Sequence, residues 1–322
     1  MMEIPGKEAL EAAQYKIAPY IHRTPVMHCK TLDKLSEARL FFKCENMQKI
    51  GAFKARGATN ALLSLPGDGL KKGVATHSSG NHAQAVAWAA SLKGIPAYIV
   101  MPRTAPDIKK KAVRGYGAKI ITCEPTQTAR EATLKQVVED TGAQFIHPYD
   151  DYRIIAGQAT AAMELIEDHP DLDVIFTPVG GGGLLSGTIL AAKYFGRNLK
   201  VYAGEPRGAD DAHRSLQAGK ILPSINPDTI ADGLLTSLGE RTFEIIKQGV
   251  EAIVTVSDGE IIHAMRLIWE RMKIIVEPSG AVPLAAVLQN THLLKGKKVG
   301  IILSGGNVNL NTFFEGLGEK TN

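Results

Sequence analysis

Lys54 stands in the stretch "GAFKARGA", residues 51 to 58, among Gly51, Ala52, Ala55, Gly57 and Ala58, with no acidic residue in the octet. Small neighbours let a backbone and a bulky ligand approach closely, and an amine desolvated there has a lowered pKa and can form a Schiff base. A solvated lysine at a helix start is the other reading these residues allow. A second stretch, "GGGGLLSG" from Gly180 to Gly187, follows the β-rich run "VIFTPV" and opens a helical pattern. Its successive backbone N–H groups and helix N-terminus suit a phosphate. A P-loop is excluded, because Gly187 is followed by Thr188 with no lysine. A dinucleotide fingerprint is excluded too, because no register supplies G-x-G-x-x-G, although Glu205 lies where a ribose-binding acid would. A small phosphate ester fits better; a ligand-free turn is the alternative, at the entropic cost of four successive glycines. "SSGNHAQA" sets Ser78, Ser79, Asn81 and His82 at a helix start, as donors to a carboxylate or simply as helix caps. "SGGN", Ser304 to Asn307, puts a hydroxyl on a glycine turn at a strand end.

The elements that must position these loops are legible as an alternation. "LFFKC", "GVATHS", "AYIVM", "KIITC", "DVIFTPV", "VYAGE", "AIVTV" and "VGIILS" read as strands. "NHAQAVAWAASLKG", "TAREATLKQVVEDTG" and "GEIIHAMRLIWERMK" read as helices between them. This is an α/β fold with mainly parallel strands, whose ligands bind at the carboxyl ends of the strands. The 322 residues leave room for two lobes. The break at "HPYDDYRIIAG" suggests a small lobe, residues 73–150, inserted in a large one made of 1–72 and 151–322.

Composition narrows the function classes. The hydrophobic share of 44% and charged share of 22% are those of a globular protein. The net charge is only +4, and the one basic cluster, Lys109 to Lys111, falls on an amphipathic helical pattern, so no nucleic-acid partner is implied. Cys29, Cys44 and Cys123 are too few and too scattered for a disulfide framework or a zinc site, which points to a reducing, cytoplasmic setting. "MMEIPGKEALEAAQ" lacks the apolar stretch of a signal peptide. Val174 to Ala192 is uncharged, but its proline and glycines read as strand, loop and helix start, so no membrane association is expected.

"GAFKARGA", "SSGNHAQA", "GGGGLLSG" and "LSGGN", in this order, resemble the fold-type II pyridoxal-phosphate enzymes of the serine/threonine dehydratase family, specifically the serine racemase branch. The similarity covers nearly the whole chain and implies two lobes, each with a mainly parallel sheet flanked by helices. It implies that Lys54 carries the cofactor as a Schiff base and that Phe53 packs by its ring. It implies further that Asn81 contacts the cofactor 3-hydroxyl, that Gly180 to Gly183 with Leu184 hold the phosphate, and that Ser304 meets the pyridine nitrogen. A hydroxyl there leaves that nitrogen largely neutral, so a carbanion at Cα is discharged by β-elimination or reprotonation rather than by transamination. Racemisation needs a proton carrier on each face of Cα: Lys54 serves one, and Ser79, alanine in most threonine dehydratases, is the candidate for the other. A free serine hydroxyl is a poor base, so Ser79 needs nearby positive charge or a proton relay. Ser78, Ser79, Asn81 and His82 would bind the substrate. Arg130 matches an arginine that the branch places near the substrate, with a solvated helix arginine as the alternative.

Glu205, the carbonyl of Ala209 and Asp211, in "GEPRGADDAH", match the positions that bind Mg²⁺ or Mn²⁺ in serine racemases, as oxygen-only ligation of hard cations requires. A homodimer is implied as well. The chain has no room after "SGGN" for the regulatory domain of biosynthetic threonine dehydratases, so isoleucine feedback is not expected, and no nucleotide contacts can be matched. The expected activity is racemisation of serine with dehydration of serine or threonine. The rivals are a dedicated dehydratase of threonine or 3-hydroxyaspartate, a β-replacement synthase, and a non-catalytic binding protein on the same scaffold. Thr236 and Ser237 do not decide among substrates.

Overall fold

A computed structural model describes residues 3–310 apart from residue 106, and for Asp68, Gly69 and Ile108 the backbone only. The part of the expected large lobe beyond residue 310 lies outside the described residues. Among the described residues ten strands form: β1 (Val26–Met27), β2 (Arg39–Cys44), β3 (Val74–His77), β4 (Ala97–Pro102), β5 (Lys119–Cys123), β6 (Gln144–Phe145), β7 (Val174–Pro178), β8 (Lys200–Pro206), β9 (Ala252–Val256) and β10 (Lys298–Leu303). They assemble into a six-stranded sheet, ordered β1-β2-β10-β7-β8-β9, and a four-stranded sheet, ordered β5-β4-β3-β6. Every pair is parallel except β1 with β2.

The strands read as unbroken apolar runs because helices cover both faces of the large sheet. Side chains still alternate between two cores: Leu40, Phe42, Phe176 and Ile301 face the core that holds helices Asp258–Leu267 and Pro278–Gln289. Phe41, Ile175, Val201 and Ile302 face the core that holds helices Tyr152–Asp168 and Gly183–Phe195. The smaller sheet is packed by helices Lys54–Leu63 and Asn81–Ser91 on one side and by Gln127–Thr141 on the other. β3, β7 and β10 end at His77, Pro178 and Leu303, so the three loops "SSGN", "GGGG" and "SGGN" all start at carboxyl ends of strands.

Three features depart from the sequence reading. The two-residue strands β1 and β6 are too short to leave a periodic mark. The helix expected over 259–273 ends as an α-helix at Leu267, continues as one π-turn over Ile268–Met272, and stops at Lys273 in the left-handed region. The small residues around Lys54 serve helix packing more than ligand approach. Ala55 and Ala58 are core residues, and a Cβ on Gly57 would lie 2.4 Å from Gln158 Nε2 and 2.9 Å from the Ile154 carbonyl.

A buried ion cluster ties helix Lys54–Leu63 to the end of β2 and to helix Tyr152–Asp168. Arg56, with no exposed surface, donates Nε to Glu45 Oε2 at 2.7 Å and Nη2 to Glu45 Oε1 at 2.8 Å. Its Nη1 and Nη2 reach Glu164 Oε1 and Oε2 at 2.7 and 2.8 Å. Lys43 donates to Glu164 at 2.6 Å and to the Thr24 carbonyl at 2.7 Å, and Thr24 donates to Glu45. Burial pushes the Glu45 carboxyl up, but the charge and hydrogen bonds of Arg56, with Lys43, outweigh it and hold it below the ordinary 4.5. Removing one partner leaves the others buried and uncompensated. Arg56→Met should therefore cost about 3–5 kcal/mol of stability, read as a fall in the urea midpoint; an unchanged midpoint would show that the cluster contributes nothing net.

Candidate active site

A cavity of about 280 Å³ is lined by Phe53, Lys54, Ser78, Ser79, Asn81, His82, Arg130, Gly180 to Gly183, Leu184 and Ser304. It thus gathers every residue expected to bind cofactor or substrate. Lys54 is the first residue of its helix; Nζ donates to the Pro148 carbonyl at 2.8 Å and lies 5.2 Å from the Phe53 ring centre. Burial lowers its pKa from 10.5 to about 8. The Phe53 N–H donates to the Ser304 carbonyl at 3.0 Å, tying the lysine turn to the end of β10.

The glycine loop runs from β7 into the helix Gly183–Phe195, whose first N–H groups have no partners within the helix. Gly182 has φ +89°, where side chains are strained. A Cβ on Gly181 would stand 2.3 Å from the Tyr149 ring, and one on Gly180 would stand 2.9 Å from Leu234 Cα. The loop is fixed from beneath by Thr242, whose hydroxyl donates to the Gly181 carbonyl at 2.9 Å. Room at this loop exists only because it lacks side chains. A lysine amine, a cradle of backbone N–H groups and the Ser304 turn around one cavity fit an aldehyde-bearing phosphate ester.

The turn before helix Asn81–Ser91 is ordered by its own polar groups. Ser78 Oγ accepts the Gly80 N–H at 3.2 Å. Asn81 Nδ2 donates to Glu277 Oε1 at 2.9 Å, and Asn81 Oδ1 accepts from Asn307 Nδ2 at 2.8 Å. Glu277, almost fully buried, also accepts the Asn307 N–H at 3.1 Å, and burial pushes its pKa up to about 7. His82 has Nε2 at 3.2 Å from the Ile146 carbonyl. Arg130 Nε is buried without a hydrogen-bond partner.

Sequence reasoning did not single out several other lining residues, among them Lys109, Tyr149, Asp232 and Glu277. Lys109 and Asp232 pair with each other at 2.5 Å. Glu277 sits in "VEPSG", where an acid before a proline at a helix start looks like ordinary helix capping. That it and Tyr149 face the cavity is decided by the fold rather than by a local pattern.

Glu205, Ala209 and Asp211 lie away from the cavity, at the end of β8 and the turn after it. Glu205 accepts the Ala212 and His213 N–H groups at 2.8 Å each, while Asp211 Oδ2 is buried with no partner. Burial pushes Glu205 up to about 8, with Asp211 adding repulsion, and pushes Asp211 up to about 6. Among the described residues no group of three or more His, Cys, Asp or Glu side chains forms a metal cage. Two desolvated carboxylates with one orphaned oxygen do suit a hard cation that keeps carbonyl and water ligands. Among the described residues no helix is long and apolar enough to cross a membrane; the uncharged run at 174–192 divides into β7, the glycine loop and a helix.

A β-hydroxyaspartate dehydratase of Paracoccus denitrificans is 51% identical over 309 residues, covering 96% of this chain and 98% of that protein. A serine racemase of Dictyostelium discoideum is 50% identical over 307 residues, covering 94% of this chain and 95% of that protein. The solved structure of maize serine racemase superposes with a TM-score of 0.96 at 45% identity, over 99% of this chain and 98% of that one. The family model for the pyridoxal-phosphate dependent enzymes matches residues 17–305, a span that includes every lining residue named above except Asn307, and the chain belongs to that family.

Proposed function

We propose that the chain racemises serine and dehydrates serine or threonine to a 2-oxo acid and ammonia. The observation that carries this reading is that one cavity brings together Lys54, Ser79, the glycine loop and the Ser304 turn. When bound, pyridoxal phosphate supplies an electron sink for the carbanion at Cα. Gly180 to Gly183 and Leu184 hold its phosphate, Phe53 packs by its ring, Asn81 meets its hydroxyl, and Ser304 offers the ring nitrogen a hydroxyl rather than a carboxylate. Ser78, Ser79, Asn81 and His82 bind the substrate carboxylate end. Lys54 moves the proton on one face of Cα and Ser79 on the other. The substrate sits between lobes made of residues 73–150 and of 1–72 with 151–322. Glu205, the Ala209 carbonyl and Asp211 bind Mg²⁺ or Mn²⁺, and the working form is a cytoplasmic homodimer without nucleic-acid or membrane partners.

One observation favours a second reading, dehydration of 3-hydroxyaspartate. Arg130, which lines the cavity, keeps a buried, unpartnered Nε, so a second substrate carboxylate would find a guanidinium there.

Three outcomes follow. The amine of Lys54 is protonated, and not nucleophilic, below its pKa. Capture of added pyridoxal phosphate by the apo-protein, followed by absorbance, should therefore rise with pH to a midpoint near 8 rather than 10.5, and be abolished by Lys54→Ala. Proton NMR of L-serine in D₂O with the holoenzyme should show α-deuterated D-serine beside pyruvate, and Ser79→Ala should lower racemisation by roughly a hundredfold or more while elimination persists. Pyruvate with residual serine wholly L refutes the racemase; a turnover preference for 3-hydroxyaspartate that Arg130→Met removes would establish the second reading. Saturating Mg²⁺ should raise Tm, with about 2.7 kcal/mol of stabilisation at one hundred times Kd, and Asp211→Asn should cancel the rise.

A further inference from the structure

His82 holds an unused acceptor at the edge of the cavity. It is the second residue of helix Asn81–Ser91, is 3% exposed, and lines the cavity. Its Nε2 faces a carbonyl oxygen, that of Ile146, and so must carry the ring proton. Nδ1 is then a bare lone pair, and it is buried with no hydrogen-bond partner. Burial, and the nearby charge of Lys54, keep the ring neutral by holding its pKa well below 6.5. A buried lone pair in this position calls for a donor.

Two donors beside it are engaged: Asn81 Nδ2 by Glu277 and Lys54 Nζ by the Pro148 carbonyl. Ser78 Oγ accepts the Gly80 N–H and keeps its own proton uncommitted. Ser79, on the same turn and half-buried, forms no hydrogen bond with the described residues.

We propose that His82 is the positioning residue for Ser79: Nδ1 accepts the Ser79 hydroxyl proton in a hydrogen bond, which turns an oxygen lone pair toward Cα. This rests on the racemase reading, in which Ser79 works on the face opposite Lys54. A hydroxyl whose proton is engaged by an imidazole is a better proton acceptor than a free one, and it no longer spends that proton on the substrate carboxylate. His82 thereby supplies what a lone serine lacks. Its effect is confined to one face of Cα.

Two near-isosteric variants separate this role from a structural one. In His82→Gln the amide nitrogen takes the place of Nε2 and keeps the Ile146 contact, but nothing replaces Nδ1. In His82→Asn the amide oxygen takes the place of Nδ1, and the Ile146 contact is lost. α-Proton exchange from D-serine and from L-serine would be followed separately in D₂O with each holoenzyme, with cofactor absorbance as the check on folding. The expected result for His82→Gln is a ratio of D-serine to L-serine exchange lowered about tenfold or more, over and above any loss of binding that the two faces share. His82→Asn should keep the D-to-L exchange ratio well above that of His82→Gln. Equal losses on both faces, or a D-face loss greater in His82→Asn than in His82→Gln, would overturn the proposal and leave His82 a support for Ile146. An unaltered enzyme that exchanges only L-serine would instead overturn the racemase reading, and this inference with it.

Discussion

The guanidinium of Arg56 is the contact on which the rest depends. It lies two residues after Lys54 and is gripped by Glu45, just past the end of β2, and by Glu164, on helix Tyr152–Asp168. One side chain thus fixes the helix that starts with Lys54 against both the large sheet and the helix beneath it. A lysine amine that must meet a cofactor to within a few tenths of an ångström needs a backbone that does not drift. A fully desolvated network provides that, because each of its members is satisfied only in one arrangement.

The cavity is organised in the same manner, by polar groups that hold one another. Glu277 orders Asn81, Asn307 takes the other end of the same amide, and Asn307 Nδ2 also donates to the Ile50 carbonyl at the turn before Lys54. The helix start that would bind a carboxylate, the β10 turn and the lysine turn are therefore one connected unit. Thr242 and Tyr149 do the equivalent for the glycine loop, one from beneath and one from above.

Much of this was legible in the chain because a parallel sheet makes each strand a single apolar run, and each run ends in the loop that carries chemistry. "VIFTPV" followed by "GGGG", and "VGIIL" followed by "SGGN", are both placed where such a fold would put a ligand. What stayed hidden has physical causes. β1 and β6 contribute two residues each, below any period. Gly57 was open to a ligand reading, whereas its bareness answers to the crossing helix at Ile154 and Gln158. Tyr149, Glu277 and Asp232 come from loops and helix starts, where facing is set by tertiary packing and leaves no mark in composition.

The strand order has a consequence for how the molecule comes to exist. β10, residues 298–303, lies between β2, at 39–44, and β7, at 174–178. The four-stranded sheet can close once the chain has reached Phe145, but the middle of the large sheet stays open until Leu303 has left the ribosome. Pairing over such separations is slow, and the waiting edges of β2 and β7 are templates for aggregation. A nascent chain stalled before β10 would lack Ser304 and leave the cavity without one wall, so the cavity is complete only after both sheets have their strands.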